Sequence, residues 1–436
     1  MSAEWIPWVF LVVAAILALF TLNAHAPVKR FWLLQVPGFI ASWLTGELAA
    51  HHLFWQALAT VLFAWAGALR AWPGWLGLGL TFMSWAGLVV IVIESRRAKG
   101  VVERALEESL GPDYRAHIDR DVGADLDEAF SRRQRLLPLP VYDPRVERTA
   151  NLVYARNGEK NLRMDVYRRR DRPSNRPALL YIHGGAWIVG RKDDQGLPLL
   201  NRLAAHGWVC FSANYRLSPG ATFPDHIVDV KSALRWIRDH GAEYGADPDF
   251  LAISGGSAGG HLAALAALTR DERSWQPGFE DRELRVAACV SLYGVYDFTD
   301  RRGHWKRSLL VPMLERAVMK KRLKEAFADF DRASPMSRVR DDAPPFFVVH
   351  GTHDTLVPVD DARHFVELLR ARSSAPVVYA ELPGAQHAFE IFPSERTLHA
   401  IRGVEAFLAW VYSRYRATRQ AGRGQRPAGS DRVVDG

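Results

Sequence analysis

At 436 residues the chain exceeds the usual size of one domain, so a catalytic-sized globular unit must share it with something else. The formal charge of +8 comes from dispersed Lys and Arg with no recognition motif, which argues against nucleic acid as a partner. The two cysteines, Cys210 and Cys289, lie in the apolar runs WVCF and AACVSLY and read as buried free thiols, compatible with a reducing compartment.

From Trp5 to Ile93 the only charged residues are Lys29, Arg30, Glu47 and Arg70. Trp5 to Leu22, Leu53 to Leu69 and Trp75 to Ile93 each approach the roughly 20 apolar residues that cross a bilayer core. Phe31 to Leu48 is interrupted by Gln35, Pro37 and Glu47 and reads as a re-entrant or interfacial helix. Ala24-His25-Ala26 resembles a signal cleavage site, but the first segment starts with Glu4, lacks Lys and Arg, and is followed by further apolar spans, so it reads as an uncleaved anchor. Lys29 and Arg30 follow the first segment, and Arg96, Arg97 and Lys99 follow the last. Three crossings put both clusters on one side, the cytoplasm, whereas four would separate them. The expectation is a transmembrane region over residues 1–95 with about three spans, and a cytoplasmic catalytic domain. The basic remainder of the chain suits anionic membrane lipid.

Arg96 to Leu110 has helical spacing and many charges, and is expected as a solvated juxtamembrane connector. With the proline-bearing LLPLPVYDP it makes up a linker region over 96–144. From 145 to 415 strand and helix patterns alternate. Strand runs fall at Leu162 to Tyr167, Ala178 to His183, Val209 to Asn214, Leu251 to Ser254, Ala287 to Leu292, Phe346 to His350 and Val377 to Glu381. Helical stretches include Ile227 to His240, Ala258 to Ala267, Asp360 to Ala371 and Glu395 to Tyr412. The fold class is therefore α/β, a mostly parallel sheet with helices on both faces, preceded by an all-α transmembrane region. The tail, 416–436, has no apolar face and is expected to be disordered.

Within that alternation, FLAISGGSAGG puts a strand directly before Gly255-Gly256-Ser257-Ala258-Gly259 and a helix directly after it. This is the setting of a G-x-S-x-G elbow, whose small residues allow a sharp turn that presents the Ser257 hydroxyl at the helix start. A phosphate loop would need Gly-Lys-Ser/Thr, which is absent. A serine hydroxyl needs a base, and the base an orienting carboxylate. Asp354 in FFVVHGTHDTLVP and His387 in LPGAQHAF follow successive strands, in the chain order Ser, Asp, His. His350 reads as strand-end packing and His353 as a loop residue. Gly184 and Gly185 of LLYIHGGAW, with the amide of Ala258, are the expected oxyanion donors, while His183 and Trp187 hold that loop and wall the pocket. No metal-ligand cluster or cofactor motif is present in the sequence.

HGGAW, GGSAGG, NYRLSP, FPDHIVDV and the Asp354 and His387 loops together resemble the α/β-hydrolase superfamily, in its hormone-sensitive-lipase-like esterase branch and neighbours. The resemblance covers about residues 145–415. It implies a serine hydrolase of small-molecule or lipid carboxylic esters working through an acyl-enzyme. It departs at Gly256, where that branch usually has Asp. Plant prenylcysteine methylesterases also join membrane helices to an HGGAW-bearing hydrolase domain, so a prenylcysteine methyl ester, or an amide as in kynurenine formamidases, is the alternative substrate. An inactive ligand-binding protein on the same fold is the alternative from another class. The insertion HWKRSLLVPMLERAVMKKRLKEAF, amphipathic at helical spacing, reads either as a lid facing the bilayer or as a cap packed on its own domain.

Overall fold

The computed structural model describes residues 4–28, 32–123, 125–138, 142–158, 160–305 and 309–424. Among the described residues four apolar helices come first: α1 (Ile6–His25), α2 (Trp32–Glu47), α3 (Ala49–Trp65) and α4 (Trp72–Arg96). α1 is long and apolar enough to cross a membrane, and so is the run Trp72–Leu110 formed by α4 and the helix after it. Trp8 meets Trp72 with ring centroids 5.2 Å apart, Thr21 Oγ1 lies 2.8 Å from Ser84 Oγ, and His25 Nε2 lies 3.0 Å from the Gly87 carbonyl. These contacts advance along both helices together, so α1 and α4 are parallel. Phe10 near the start of α1 stacks on Phe63 near the end of α3 at 5.2 Å, so α3 runs antiparallel to them. α2 turns by 89° into α3 and crosses the end of α1, where Asn23 Nδ2 donates to the Gly38 carbonyl at 2.7 Å. Of the expected Phe31 to Leu48 segment, Trp32–Glu47 is thus a helix bent sharply away from the following apolar run, with Pro37 inside it, while Phe31 lies outside the described residues.

Beyond α4 come α5 (Ala98–Leu110) and the short helices α6 (Arg120–Gly123) and α7 (Arg132–Leu136). Among the described residues eight strands follow: β1 (Val146–Asn157), β2 (Lys160–Arg169), β3 (Arg176–Ile182), β4 (Val209–Ala213), β5 (Ala246–Gly256), β6 (Cys289–Leu292), β7 (Phe346–Gly351) and β8 (Val377–Leu382). They form one sheet in the order β1-β2-β4-β3-β5-β6-β7-β8, with β2 antiparallel to both its neighbours and all other pairs parallel. Between strands lie α8 (Leu197–Ala205), α9 (Asp225–His240), α10 (Ala258–Leu268), α11 (Leu310–Met313), α12 (Phe327–Ala333) and α13 (Val359–Arg372), and α14 (Glu395–Gly424) comes after β8.

Strand alternation sorts the core into two layers. Leu180 and Ile182 of β3 pack with α9, α10 and α13, while Leu179 and Tyr181 pack with α5, α8 and α14. Both cysteines are free and buried.

α5 corrects the expectation of a solvated connector. Ala98, Val102, Ala105 and Leu106, at helical spacing, are buried among Phe347, Phe407 and their neighbours, so α5 covers the sheet. Burying Val102 and Leu106 contributes about 1.5–3 kcal/mol each, which its charged residues, all on the outer side, do not reveal. The run Trp72–Leu110 spans 39 residues, about 58 Å at 1.5 Å per residue, with a turn at Arg97 between α4 and α5, so it leads from the apolar bundle into the core. Helix α14 also continues past Arg416, whose guanidinium pairs with Asp119 and Asp121, as far as Gly424; the rest of the expected tail lies outside the described residues. The insertion packs on its own domain: Leu310, Leu314, Val318 and Met319 belong to the core layer of α9 and α10, and residues 306–308 lie outside the described residues.

Candidate active site

The sharpest local feature is Ser257, between β5 and α10, at φ 57° and ψ −121°. A non-glycine residue there costs about 1–3 kcal/mol and persists only where its surroundings impose it. The surroundings do so. The Ser257 N–H donates to the Leu292 carbonyl at 2.9 Å, and its carbonyl accepts from the His261 N–H at 2.9 Å as the first turn of α10. A Cβ on Gly259 would lie 2.0 Å from the Ile182 carbonyl oxygen, so α10 can approach β3 only with glycine there. A Cβ on Gly256 would lie 2.4 Å from the Tyr293 hydroxyl. The departure from Asp at this position therefore has a physical reason: Tyr293 fills the space.

Asp354 follows β7, and His387 follows β8. His387 Nε2 lies 2.8 Å from Ser257 Oγ, and its Nδ1 lies 2.7 Å from Asp354 Oδ2. The carboxylate fixes the tautomer: Nδ1–H donates to Asp354, leaving Nε2 to accept from the serine hydroxyl. Asp354 Oδ1 accepts from the N–H groups of Leu356 and Val357 at 2.9 and 2.8 Å. Burial pushes the Asp354 carboxyl up, but His387 and His350 outweigh it and hold the group well below the usual carboxylate range. The sequence-predicted serine, acid and base thus come together, each beyond the C-terminal end of a parallel strand, where open α/β sheets place their ligands. His350, expected only as packing, also reaches Asp354 Oδ2 at 3.1 Å and the Val357 carbonyl at 3.0 Å.

The expected oxyanion donors divide. The Gly184 N–H donates to Gln195 Oε1 at 2.7 Å, so it is committed elsewhere, which leaves Gly185 and Ala258 of the three. Gly185 sits at φ 110°, where a Cβ would lie 2.1 Å from the Val189 carbonyl oxygen. His183 does hold its loop: Nδ1 lies 2.7 Å from the Gly184 carbonyl, the ring stacks on Tyr215 at 4.5 Å, and burial lowers its pKa to about 4. Trp187 is buried, and its Nε1–H donates to His261 Nδ1 at 3.3 Å. His261 in turn donates from Nε2 to the Ala333 carbonyl at 2.8 Å, and burial lowers its pKa to about 3, so it is a neutral strut between α10 and the HGGAW loop.

Three contributors had escaped the sequence. Gln386 Oε1 accepts from the N–H of Thr355 at 2.8 Å and of His387 at 3.0 Å, tying the acid loop to the base loop. Tyr293 packs on the His387 ring at 4.5 Å. Helix α2 reaches both loops through Gln35, Phe39 and Trp43. A glutamine beside a histidine, or a polar residue in an apolar helix, carries no linear pattern that announces such a role.

A hydroxyl, an imidazole and a carboxylate in this line can pass a proton from oxygen to nitrogen while the carboxylate steadies the imidazolium. The chain matches the BD-FAE family over residues 164–369. It is 42% identical over 433 residues, 96% of each chain, to the probable carboxylic ester hydrolase LipM of Mycobacterium tuberculosis. It is 39% identical to the esterase LipQ of the same organism, over 88% of this chain and 86% of that one. Among solved structures, a truncated carbohydrate esterase from gut microbiota covers 64% of this chain and 99% of its own, with 23% identity and a TM-score of 0.50, a likeness of fold.

Proposed function

The chain belongs to the esterase family of LipM and LipQ, carboxylic ester hydrolases of the α/β-hydrolase superfamily, and on that premise we propose that Ser257, His387 and Asp354 form its catalytic triad. The observation that carries the proposal is the pair of contacts about one imidazole, 2.8 Å to Ser257 Oγ and 2.7 Å to Asp354 Oδ2, on a serine held in a strained turn. Ser257 Oγ attacks the ester carbonyl as His387 Nε2 takes its proton. Asp354 stabilises the imidazolium that forms. The amides of Gly185 and Ala258 receive the developing oxyanion, and the Gln195 bond to Gly184 steadies the loop that presents them. His387 returns the proton to the leaving alcohol, and a water activated by the same imidazole releases the acid from the acyl-enzyme.

The fluorophosphonate test is direct. The full-length chain in detergent is expected to label at Ser257 and to turn over p-nitrophenyl esters, and Ser257→Ala to do neither; turnover retained by that variant would refute the triad.

The proposed setting is a membrane. α1, α3 and α4 alternate in direction in a way that suits three crossings, with α2 lying at the interface under the catalytic face. Lys29 and Arg30 and the Arg96, Arg97 and Lys99 cluster then share the cytoplasmic side with the hydrolase domain. A C-terminal reporter active only outside the cytoplasm would contradict this orientation.

A further inference from the structure

Helix α2 carries a stripe at four-residue intervals, Gln35, Phe39, Trp43 and Glu47, which lies along one helix face. Each member meets a loop that carries or follows a triad residue. Gln35 Nε2 donates to the Thr355 carbonyl at 2.7 Å, one residue after Asp354. The Phe39 ring stands edge-on to His387, centroids 6.2 Å apart. Trp43 Nε1 donates to the Ala388 carbonyl at 2.9 Å, one residue after His387. Glu47 accepts from Ser394 Oγ at 2.6 Å and pairs with the buried Arg396 at 3.3 Å. Away from this stripe, Leu33, Leu34, Val36 and Ile40 are exposed.

We propose that α2 is part of the active site, with Phe39 and Trp43 as positioning residues for His387 and Gln35 as a positioning residue for the acid loop; this rests on the triad reading. The polar residues that interrupt the segment as a membrane span are the ones that grip the catalytic loops. The turn after His387 needs such a grip. Ala388 sits at φ 58°, a left-handed conformation that L-residues avoid, and besides Trp43 its carbonyl is reached only by the Ile391 N–H at 3.4 Å among the described residues. The grip also continues inward. Thr355, held by Gln35, donates its N–H to Gln386, which accepts from the His387 N–H as well, so α2 and the base share one hydrogen-bonded chain. His387 itself lies between Phe39 and Tyr293, which leaves its ring little freedom to turn away from Ser257.

The test uses the full-length chain in lipid nanodiscs, with active sites counted by fluorophosphonate titration and p-nitrophenyl butyrate as substrate. Trp43→Phe keeps an aromatic side chain, though a smaller one, and deletes the N–H, and Phe39→Ala deletes the ring beside the base. Because small misplacements of reacting groups cost up to about a hundredfold, each is expected to lower kcat per titrated site by about tenfold or more with KM little changed, and Phe39→Leu to recover part of the loss. Leu34→Ala and Ile40→Ala, at exposed positions, are expected to match wild type. A merely structural role would lower the titrated fraction or the Tm while leaving kcat per site intact. If Trp43→Phe and Phe39→Ala both keep kcat per site within about twofold of wild type, the α2 proposal is overturned and the triad stands. If wild type itself fails to label at Ser257, both fall.

Discussion

Asp354 Oδ2 lies 3.1 Å from His350 Nε2 as well as 2.7 Å from His387 Nδ1, so one carboxylate oxygen faces two imidazoles. The two contacts differ in what they do. Asp354→Asn offers His387 an amide in place of the charge, and kcat on a p-nitrophenyl ester is expected to fall by about ten-thousandfold. His350→Leu leaves the proposed triad in place but removes a charge-assisted contact, for an expected loss of about tenfold. Equal losses in steady-state assays of the two variants would show that the second imidazole is not auxiliary.

Ser257 stores strain, so Ser257→Gly should separate activity from stability. Glycine adopts φ 57° freely. Thermal unfolding is expected to show a gain of about 1 kcal/mol while ester turnover is abolished. A loss of stability would mean that the hydroxyl contributes more than its turn costs.

The Gly256 and Tyr293 pair invites a double-mutant cycle. Gly256→Ala places a Cβ 2.4 Å from the Tyr293 hydroxyl, and Tyr293 packs on His387, so the push reaches the base. An activity loss approaching a hundredfold is expected. Adding Tyr293→Phe removes the struck oxygen and should restore part of it; simple additivity would contradict the contact.

His261→Ala deletes a buried ring with two hydrogen-bond partners, Trp187 and Ala333. The expected cost is about 2–4 kcal/mol by chemical denaturation, with kcat falling too because Trp187 belongs to the HGGAW loop. Loss of stability with unchanged kcat per titrated site would show that this loop does not depend on the strut.

His206 gives the fold a pH dependence. Burial pushes its imidazole down, but Glu405 and Glu128 outweigh that and raise its pKa above 6.5. A raised imidazole contributes stability that is fully present below the unfolded value and is lost as pH rises through the folded value. The Tm is therefore expected to decline from about pH 6 upward, and His206→Gln to flatten that decline in scanning fluorimetry across pH.

Much of this was written in local pattern. The strand-turn-helix context of Ser257, and acid and base beyond successive strands, are short-range features of sequence, and the buried parallel strands announce themselves as continuous apolar runs. β1 was missed because it is an edge strand, largely exposed, whose residues such as Glu147 and Arg156 break the alternation that marks a buried face.

What the sequence by itself determined is the inventory of the proposed reaction machinery, an elbow serine, a candidate acid and base in order and a glycine loop, together with an apolar N-terminal region. Tertiary structure alone decided which groups serve one another. The pairing of Gly184 with Gln195, the tie from Gln386 to the acid loop, the burial of α5, and the seating of the Gln35, Phe39 and Trp43 stripe on the catalytic loops join residues as far as 345 positions apart. No periodicity within a helix or strand encodes such contacts, because they arise only when separate faces are brought together by burial of the core.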